Sequence, residues 1–139
     1  MTDKSSDLDN QAAERTRQAV SRYASAWLTG DRAALIACYH EDFTLHYSGR
    51  NPLAGDHRGK AASLAILAEV TRRTNRKLLG IVDIMAGPEH GALLVRERFE
   101  RDGKAAEFDR LLVYAVRDGL LWECWVWDRD QTAVDAYLA

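Results

Sequence analysis

The sequence predicts one α+β domain in which α-helices cover one face of a curved antiparallel β-sheet. Two observations lead to this prediction. Apolar residues recur at helical spacing in the N-terminal part, and from Leu78 onward alternating, strand-like runs are separated by Asp-Gly pairs. A length of 139 residues suits a single domain. The predicted order is α-α-β-α-β-β-β-β within residues 11–139, preceded by a polar, flexible N-terminus at residues 1–10.

The first two helices are expected to form a tight helical hairpin. Gly30 ends the first helix, and Asp31 can cap the second. Their apolar stripes consist of Val20, Tyr23, Ala24, Trp27 and Leu28, and of Ala34, Leu35, Cys38 and Tyr39. A short strand, Phe43–Tyr47, leads into a glycine-rich loop at residues 49–59, and the third helix spans Ala61–Thr74.

Four further strands are predicted after the third helix. They are Leu78–Met85, Ala92–Arg101, Ala106–Val116 and Leu120–Asp128, with hairpin turns at Asp102-Gly103 and Asp118-Gly119.

The last predicted strand is apolar on both faces. Cys124 and Val126 lie on one side and Trp125 and Trp127 on the other. A strand of this kind is normally buried on both sides, and the helices can cover only one of them. A second copy of the chain is the simplest cover for the other side, so we predict a homodimer through Trp125 and Trp127.

Composition excludes several classes of function. Lys and Arg total 19 and Asp and Glu total 21, a net charge of −2 that gives no reason to expect nucleic acid or a membrane surface as partner. Cys38 and Cys124 lie far apart in apolar surroundings, as expected of buried thiols in the cytoplasm. Neither a nucleotide-binding motif nor a metal-ligand spacing occurs, so we expect no cofactor and no metal.

The order of elements and several segments resemble the SnoaL-like branch of the nuclear transport factor 2-like superfamily, which includes ketosteroid isomerase and polyketide cyclases. The segments are Arg22-Tyr23, Gly30-Asp31, the loop at residues 49–59, Arg117-Asp118-Gly119, Trp125, Asp130-Gln131 and Asp135. The resemblance covers about residues 15–138. It implies a cone-shaped sheet with three helices on its concave face and a small-molecule pocket inside the cone.

The resemblance also implies a set of site positions. Tyr23 falls where ketosteroid isomerase has its oxyanion-hole tyrosine. Tyr47 and Leu112 fall where that enzyme has two aspartates, so its mechanism does not carry over. Asp128 is the acid nearest to the positions at which SnoaL-type cyclases place a His and an Asp.

Within such a cone, alternation turns Glu97 and Arg110 inward, where they are expected to face each other as a bidentate ion pair. His57 lies in the glycine-rich loop and suits proton transfer. The alternatives are an ion pair at the open rim and a hydrogen-bonded surface histidine. The expected substrate-binding residues are Trp27, Tyr47, Phe99, Phe108, Leu112 and Asp128.

We therefore expect a cofactor-independent enzyme of isomerase, cyclase, dehydratase or hydrolase type. Its substrate would be an apolar carbonyl, epoxide or polyketide-like molecule. His57 and Glu97 would handle protons, while Tyr23 and Arg110 would stabilise developing negative charge. The alternative is a non-catalytic binding or scaffold module. A polar cluster deep in the cone favours the enzyme, and a cone plugged by Trp27, Tyr39 and Phe99 favours the module.

Overall fold

The computed structural model describes residues 4–139 and confirms the predicted α+β class. Four helices accompany one curved, six-stranded sheet. The elements are α1 (Lys4–Thr29), α2 (Arg32–Ala37), β1 (Tyr39–Tyr47), β2 (Gly55–Arg58), α3 (Lys60–Thr74), β3 (Lys77–Ala86), β4 (His90–Arg101), β5 (Lys104–Arg117), β6 (Leu120–Asp128) and α4 (Gln131–Leu138).

The strands lie in the order β2-β1-β6-β5-β4-β3. All neighbouring pairs are antiparallel except β1 and β6, which run parallel. The sheet therefore contains one parallel pair. β1 and β6 can run parallel because no hairpin joins them: β2, α3, β3, β4 and β5 lie between them in the chain.

The concave face of the sheet carries the core. Glu97, Phe99, Phe108, Arg110 and Leu112 are all buried, which matches the predicted inward alternation on β4 and β5. Helix α1 packs against β3 and β4, and helix α3 packs against β1. The helices thus enclose the inward-facing side chains between themselves and the sheet.

Besides the parallel pair of β1 and β6, three details differ from the sequence-based expectation. Residues 4–10 continue helix α1, so the described part of the predicted flexible N-terminus is helical, and residues 1–3 lie outside the described chain. The glycine-rich loop contains the short edge strand β2, which pairs with β1. A fourth helix, α4, follows the last strand.

Helix α4 closes one end of the cone. Its N-cap, Asp130, accepts a hydrogen bond from the backbone N–H of Ala133 at 3.1 Å. The Tyr137 ring lies 6.1 Å from the ring of Phe99 and 5.7 Å from that of Phe108, measured between centroids. Phe99 and Phe108 therefore pack against a helix.

The loop after β1 holds α4 in place. The Asp135 carboxylate accepts hydrogen bonds from the backbone N–H of Arg50 at 3.0 Å and from the Asn51 side chain at 2.8 Å. Gly49 has φ of 107°, and a Cβ there would overlap Asp135 and Gln131. Only glycine suits both the backbone angle and this close approach.

Candidate functional site

A small cavity lies between α1, α3 and the concave face of the sheet. Its volume is about 30 Å³, enough for roughly one or two water molecules. Of its lining residues, Trp27, Leu67 and Arg76 are partly exposed, and the others are buried. The lining consists of Tyr23, Trp27, Tyr39, Phe43, Leu45, Tyr47, Leu67, Arg76, Glu97, Arg110, Leu112, Tyr114, Cys124 and Val126.

Arg110 is the centre of a buried polar cluster. Its Nε donates to Asp128 Oδ1 at 2.6 Å, and its Nη2 donates to Asp128 Oδ2 at 3.2 Å and to the Tyr47 hydroxyl at 2.7 Å. Burial alone would lower the pKa of Arg110, but Tyr47, Glu97 and Asp128 outweigh it and raise that pKa well above the ordinary value. The guanidinium is therefore permanently charged.

Glu97 lies beside this cluster without joining its hydrogen bonds. Its Oε1 is 3.6 Å from Arg110 Nη1 and its Oε2 is 3.4 Å from Arg76 Nε. The residue is 0% exposed, and among residues 4–139 its two oxygens are the only buried side-chain polar atoms that lack a hydrogen-bond partner. A buried carboxylate whose oxygens lack hydrogen bonds requires an explanation, and a catalytic role is one such explanation.

A second polar group is made of tyrosine hydroxyls. The hydroxyl of Tyr39 donates to that of Tyr23 at 2.7 Å, and the ring of Tyr114 lies 5.6 Å from that of Tyr23, measured between centroids. Burial raises the pKa of Tyr23 to about 12, although its hydrogen bond with Tyr39 acts in the opposite direction. Tyr23 therefore keeps its proton at neutral pH and can act as a hydrogen-bond donor.

The structure brings most of the predicted site residues together. Those that line the cavity are Tyr23, Trp27, Tyr47, Glu97, Arg110 and Leu112, while Asp128 contacts the cavity through Arg110. Phe99 and Phe108 do not line it, because α4 covers them. The predicted apolar pocket is therefore smaller and more polar than expected.

The predicted bidentate partner of Arg110 is corrected by the strand register. Arg110 stands opposite Val95 on β4 and opposite Asp128 on β6, whereas Glu97 stands opposite Phe108. Asp128 therefore forms the bidentate pair, and Glu97 reaches Arg110 only diagonally. The contact is buried, which excludes the alternative of an ion pair at the rim.

His57 lies apart from the cavity. It sits on the edge strand β2, and its Nε2 is hydrogen-bonded to the carbonyl oxygen of Leu53 at 2.7 Å. Its own carbonyl accepts a hydrogen bond from Ser63 at 2.8 Å, which ties β2 to α3. This arrangement corresponds to the alternative of a hydrogen-bonded histidine, so we do not assign it a proton-transfer role.

Arg76 is a cavity residue that the sequence does not reveal. The sequence shows it only as part of a basic cluster at the end of a helix, with Arg72, Arg73 and Lys77. In the structure, Arg72 and Arg73 pair with Glu69 on α3, whereas Arg76 turns into the cavity. No sequence signal separates it from its neighbours.

The outer face of the sheet carries a separate titratable cluster. The ring of His46 is hydrogen-bonded to Asp56 at 2.6 Å and to Glu123 at 2.5 Å, and it stacks on Trp125 with centroids 5.2 Å apart. Burial opposes protonation of His46, but the hydrogen bonds with the two carboxylates outweigh it and raise its pKa above 6.5.

This cluster predicts a pH-dependent contribution to stability. Because the folded-state pKa of His46 is raised, its contribution is complete below pH 6.5 and is lost as pH rises through the folded-state value. We expect the free energy of unfolding of the parent, measured in urea, to fall relative to that of His46→Gln as pH rises above 6.5. His90→Gln, which alters the other histidine at Trp125, is the control. Parallel pH curves for the parent and His46→Gln would contradict the prediction.

Within residues 4–139, no three His, Cys, Asp or Glu side chains lie close enough together to hold a metal ion. Over the same residues, no helix combines the length and apolar character needed to cross a membrane.

Solved structures similar to this chain share its fold. Bal32a, from a soil-derived mobile gene cassette, is 24% identical with a TM-score of 0.82, and the match covers 92% of this chain and 99% of that one. TerC, co-crystallised with polyporic acid, is 16% identical with a TM-score of 0.73, covering 89% and 97%. RV0760c from Mycobacterium tuberculosis, in complex with estradiol-17β-hemisuccinate, is 19% identical with a TM-score of 0.66, covering 84% and 96%.

The family assignment comes from the sequence match. No curated protein matches the chain significantly. The model of the SnoaL-like domain family matches residues 20–124, which is most of the chain. This match confirms the SnoaL-like resemblance seen in the sequence, and the chain belongs to the SnoaL-like domain family.

Proposed function

We propose that the chain is a cofactor-independent acid–base enzyme that acts on an apolar carbonyl, epoxide or polyketide-like molecule in the cavity. The observation that carries the proposal is Glu97, a fully buried carboxylate that faces the cavity with both oxygens free of hydrogen bonds. Such a group costs stability unless something else offsets its burial, and a catalytic role supplies the reason to keep it.

The roles of the cavity residues follow from their free donors and acceptors. With a carbonyl substrate, a C–H bond next to the carbonyl breaks, its proton passes to Glu97, and the electron pair moves onto the carbonyl oxygen. Tyr23 donates a hydrogen bond to that oxygen. Arg110, whose Nε and Nη2 are already engaged, supplies positive charge nearby in a medium of low dielectric.

Binding a ring-sized ligand requires the cavity to open. Its 30 Å³ is well below the roughly 150 Å³ that holds benzene in an engineered protein cavity. The partly exposed lining residues Trp27 and Leu67 are the side chains best placed to move aside without disturbing the core. TerC was co-crystallised with polyporic acid and RV0760c is in complex with estradiol-17β-hemisuccinate, which supports small-molecule binding by proteins of this fold.

Proton exchange tests the proposal without a known substrate. We expect the parent protein to accelerate incorporation of deuterium into 2-tetralone, an apolar cyclic ketone, in D₂O followed by NMR. Heat-denatured protein at the same concentration gives the background rate. An unchanged rate in the presence of folded protein would contradict the enzyme proposal.

A non-catalytic binding module is the second candidate, and the small cavity, which Trp27 and Tyr39 help to line, favours it. For such a module, 2-tetralone should raise the melting temperature without exchanging its protons. For both candidate functions we propose that the protein is cytoplasmic, because Cys38 and Cys124 are both buried free thiols.

We also propose a homodimer through the outer face of the sheet. Trp127 is 49% exposed there, next to Leu111 and Leu94 in one row across the strands. Trp125 is less available than the sequence suggests, because it stacks on His46. Trp127 is therefore the main candidate anchor of the interface.

Trp127→Glu should shift the protein from dimer to monomer, since the change places a charge in the apolar row. Sedimentation velocity at micromolar concentration measures the shift. Leu28→Glu is the control, because Leu28 is a similarly exposed apolar residue on helix α1. A monomeric parent would contradict the proposal.

A further inference from the structure

The position of Arg76 is fixed by the end of helix α3. Asn75 adopts a left-handed conformation, with φ of 48°, and turns the chain back after the helix. Arg76 Nε then donates to Thr71 Oγ1 at 3.2 Å, and its Nη2 donates to the Leu67 carbonyl at 3.4 Å. The side chain is 16% exposed, so its guanidinium lies at the boundary between the cavity and solvent.

Arg76 and Glu97 attract each other without forming a hydrogen bond. The 3.4 Å between Nε and Oε2 is longer than the roughly 2.7–2.9 Å of a charge-assisted hydrogen bond. Oε2 of Glu97 is thus close to the Arg76 guanidinium and still has its hydrogen-bonding capacity free.

The charges around the cavity balance. Arg76 and Arg110 carry two positive charges, and Glu97 and Asp128 carry two negative ones. An anionic ligand would add an uncompensated charge to a buried site, which is costly. A neutral hydroxyl adds none, and it can donate to a carboxylate while accepting from a guanidinium.

We propose that Arg76 and Glu97 together bind a neutral hydroxyl group of the ligand, so that Arg76 determines specificity for hydroxyl-bearing apolar molecules. The ligand O–H donates to Oε2 of Glu97, and its oxygen accepts from Arg76. Oε1, on the side of Arg110, stays free to accept the proton in the reaction. The inference rests on the proposed function and narrows its substrate to an apolar hydroxycarbonyl compound.

Two probes of nearly the same shape test the inference by calorimetry. At neutral pH, 2-naphthol presents a neutral hydroxyl, whereas 2-methoxynaphthalene has no donor. The parent is expected to bind 2-naphthol about 10- to 100-fold more tightly than 2-methoxynaphthalene, which is the usual contribution of a hydrogen bond to a charged group. Arg76→Met should reduce this preference by about tenfold, because it removes one of the two partners of the hydroxyl.

Two further variants, one a second test and one a control, complete the comparison. Glu97→Gln should also reduce the preference, since an amide oxygen is a weaker acceptor than a carboxylate. Arg96→Met, which changes an exposed arginine on the outer face, should retain the preference of the parent. Circular dichroism melting shows that each variant is folded before binding is measured.

The possible results separate this inference from the proposed function. Equal affinity of the parent for the two probes would overturn the hydroxyl assignment and leave acid–base catalysis to be judged by deuterium exchange. A full preference retained by Arg76→Met would overturn the role of Arg76. Failure of both probes to bind the parent would overturn the inference together with the proposed apolar cavity.

Discussion

Replacing Glu97 with glutamine is expected to slow deuterium incorporation into 2-tetralone by about 10²- to 10⁴-fold, the usual contribution of a positioned general base. Glutamine keeps the shape of the side chain and removes the group that accepts the proton. The measurement is the initial exchange rate by NMR, at equal protein concentration and with the background rate subtracted.

Glu107→Gln is the matched control for this prediction. Glu107 lies on β5, half exposed on the outer face, where it pairs with Arg96 at 3.2 Å. Its substitution should leave the exchange rate unchanged. Glu97→Gln should cost some stability, but Arg110 keeps its carboxylate partner Asp128. A folded Glu97→Gln variant that exchanges at the parent rate would contradict the role of Glu97.

The sequence predicts the inward side chains well because alternation in a strand is a geometric necessity. Once one residue of β4 or β5 points inward, its neighbours at every second position do so too. With the inward face set by the resemblance to the family, alternation therefore assigns Glu97 and Arg110 to the interior of the cone, and both are buried. The Asp-Gly turns predict the hairpins that bring the two strands together.

Pairing across the strands is harder to predict. The two-residue turn at Asp102-Gly103 places Arg101 opposite Lys104, and counting back from it puts Phe108, not Arg110, opposite Glu97. The turn alone is enough to indicate that register. It does not indicate the pairing of Arg110 with Asp128, because an irregularity between Ala115 and Val116 shifts the register of β5 and β6 by one residue.

Two parts of the site depend on tertiary contacts that no local pattern specifies. A helical stripe of Val134, Tyr137 and Leu138 behind the N-cap Asp130 does indicate α4, but not that its tyrosine would cover Phe99. The direction of Arg76 depends on the left-handed Asn75 and on how α3 lies over the sheet. Both the covering of Phe99 by α4 and the direction of Arg76 are thus determined by how the elements pack in the folded domain.

The second large effect concerns stability. Arg110→Met is expected to lower the free energy of unfolding by about 3–5 kcal/mol, the cost of removing one partner from a buried ionic network. Methionine can fill similar space between the rings of Tyr47 and Phe99, which lie 5.4 and 5.3 Å from the guanidinium carbon. The loss then comes mainly from charge, because Asp128 and Glu97 remain buried with only Arg76 close to Glu97.

Two measurements separate the contributions of charge and packing to the stability lost in Arg110→Met. They are urea unfolding at several pH values and the effect of a second substitution. The stability deficit of this variant should narrow as pH falls, because protonation of a carboxyl removes the uncompensated negative charge. Adding Asp128→Asn should recover part of the loss, since it removes the buried carboxylate that had been paired with Arg110, and a double-mutant cycle measures that coupling. Arg96→Met, at an exposed ion pair, should stay within about 1 kcal/mol of the parent. A deficit that neither acid pH nor Asp128→Asn reduces would mean that Arg110 stabilises the fold by packing rather than by charge.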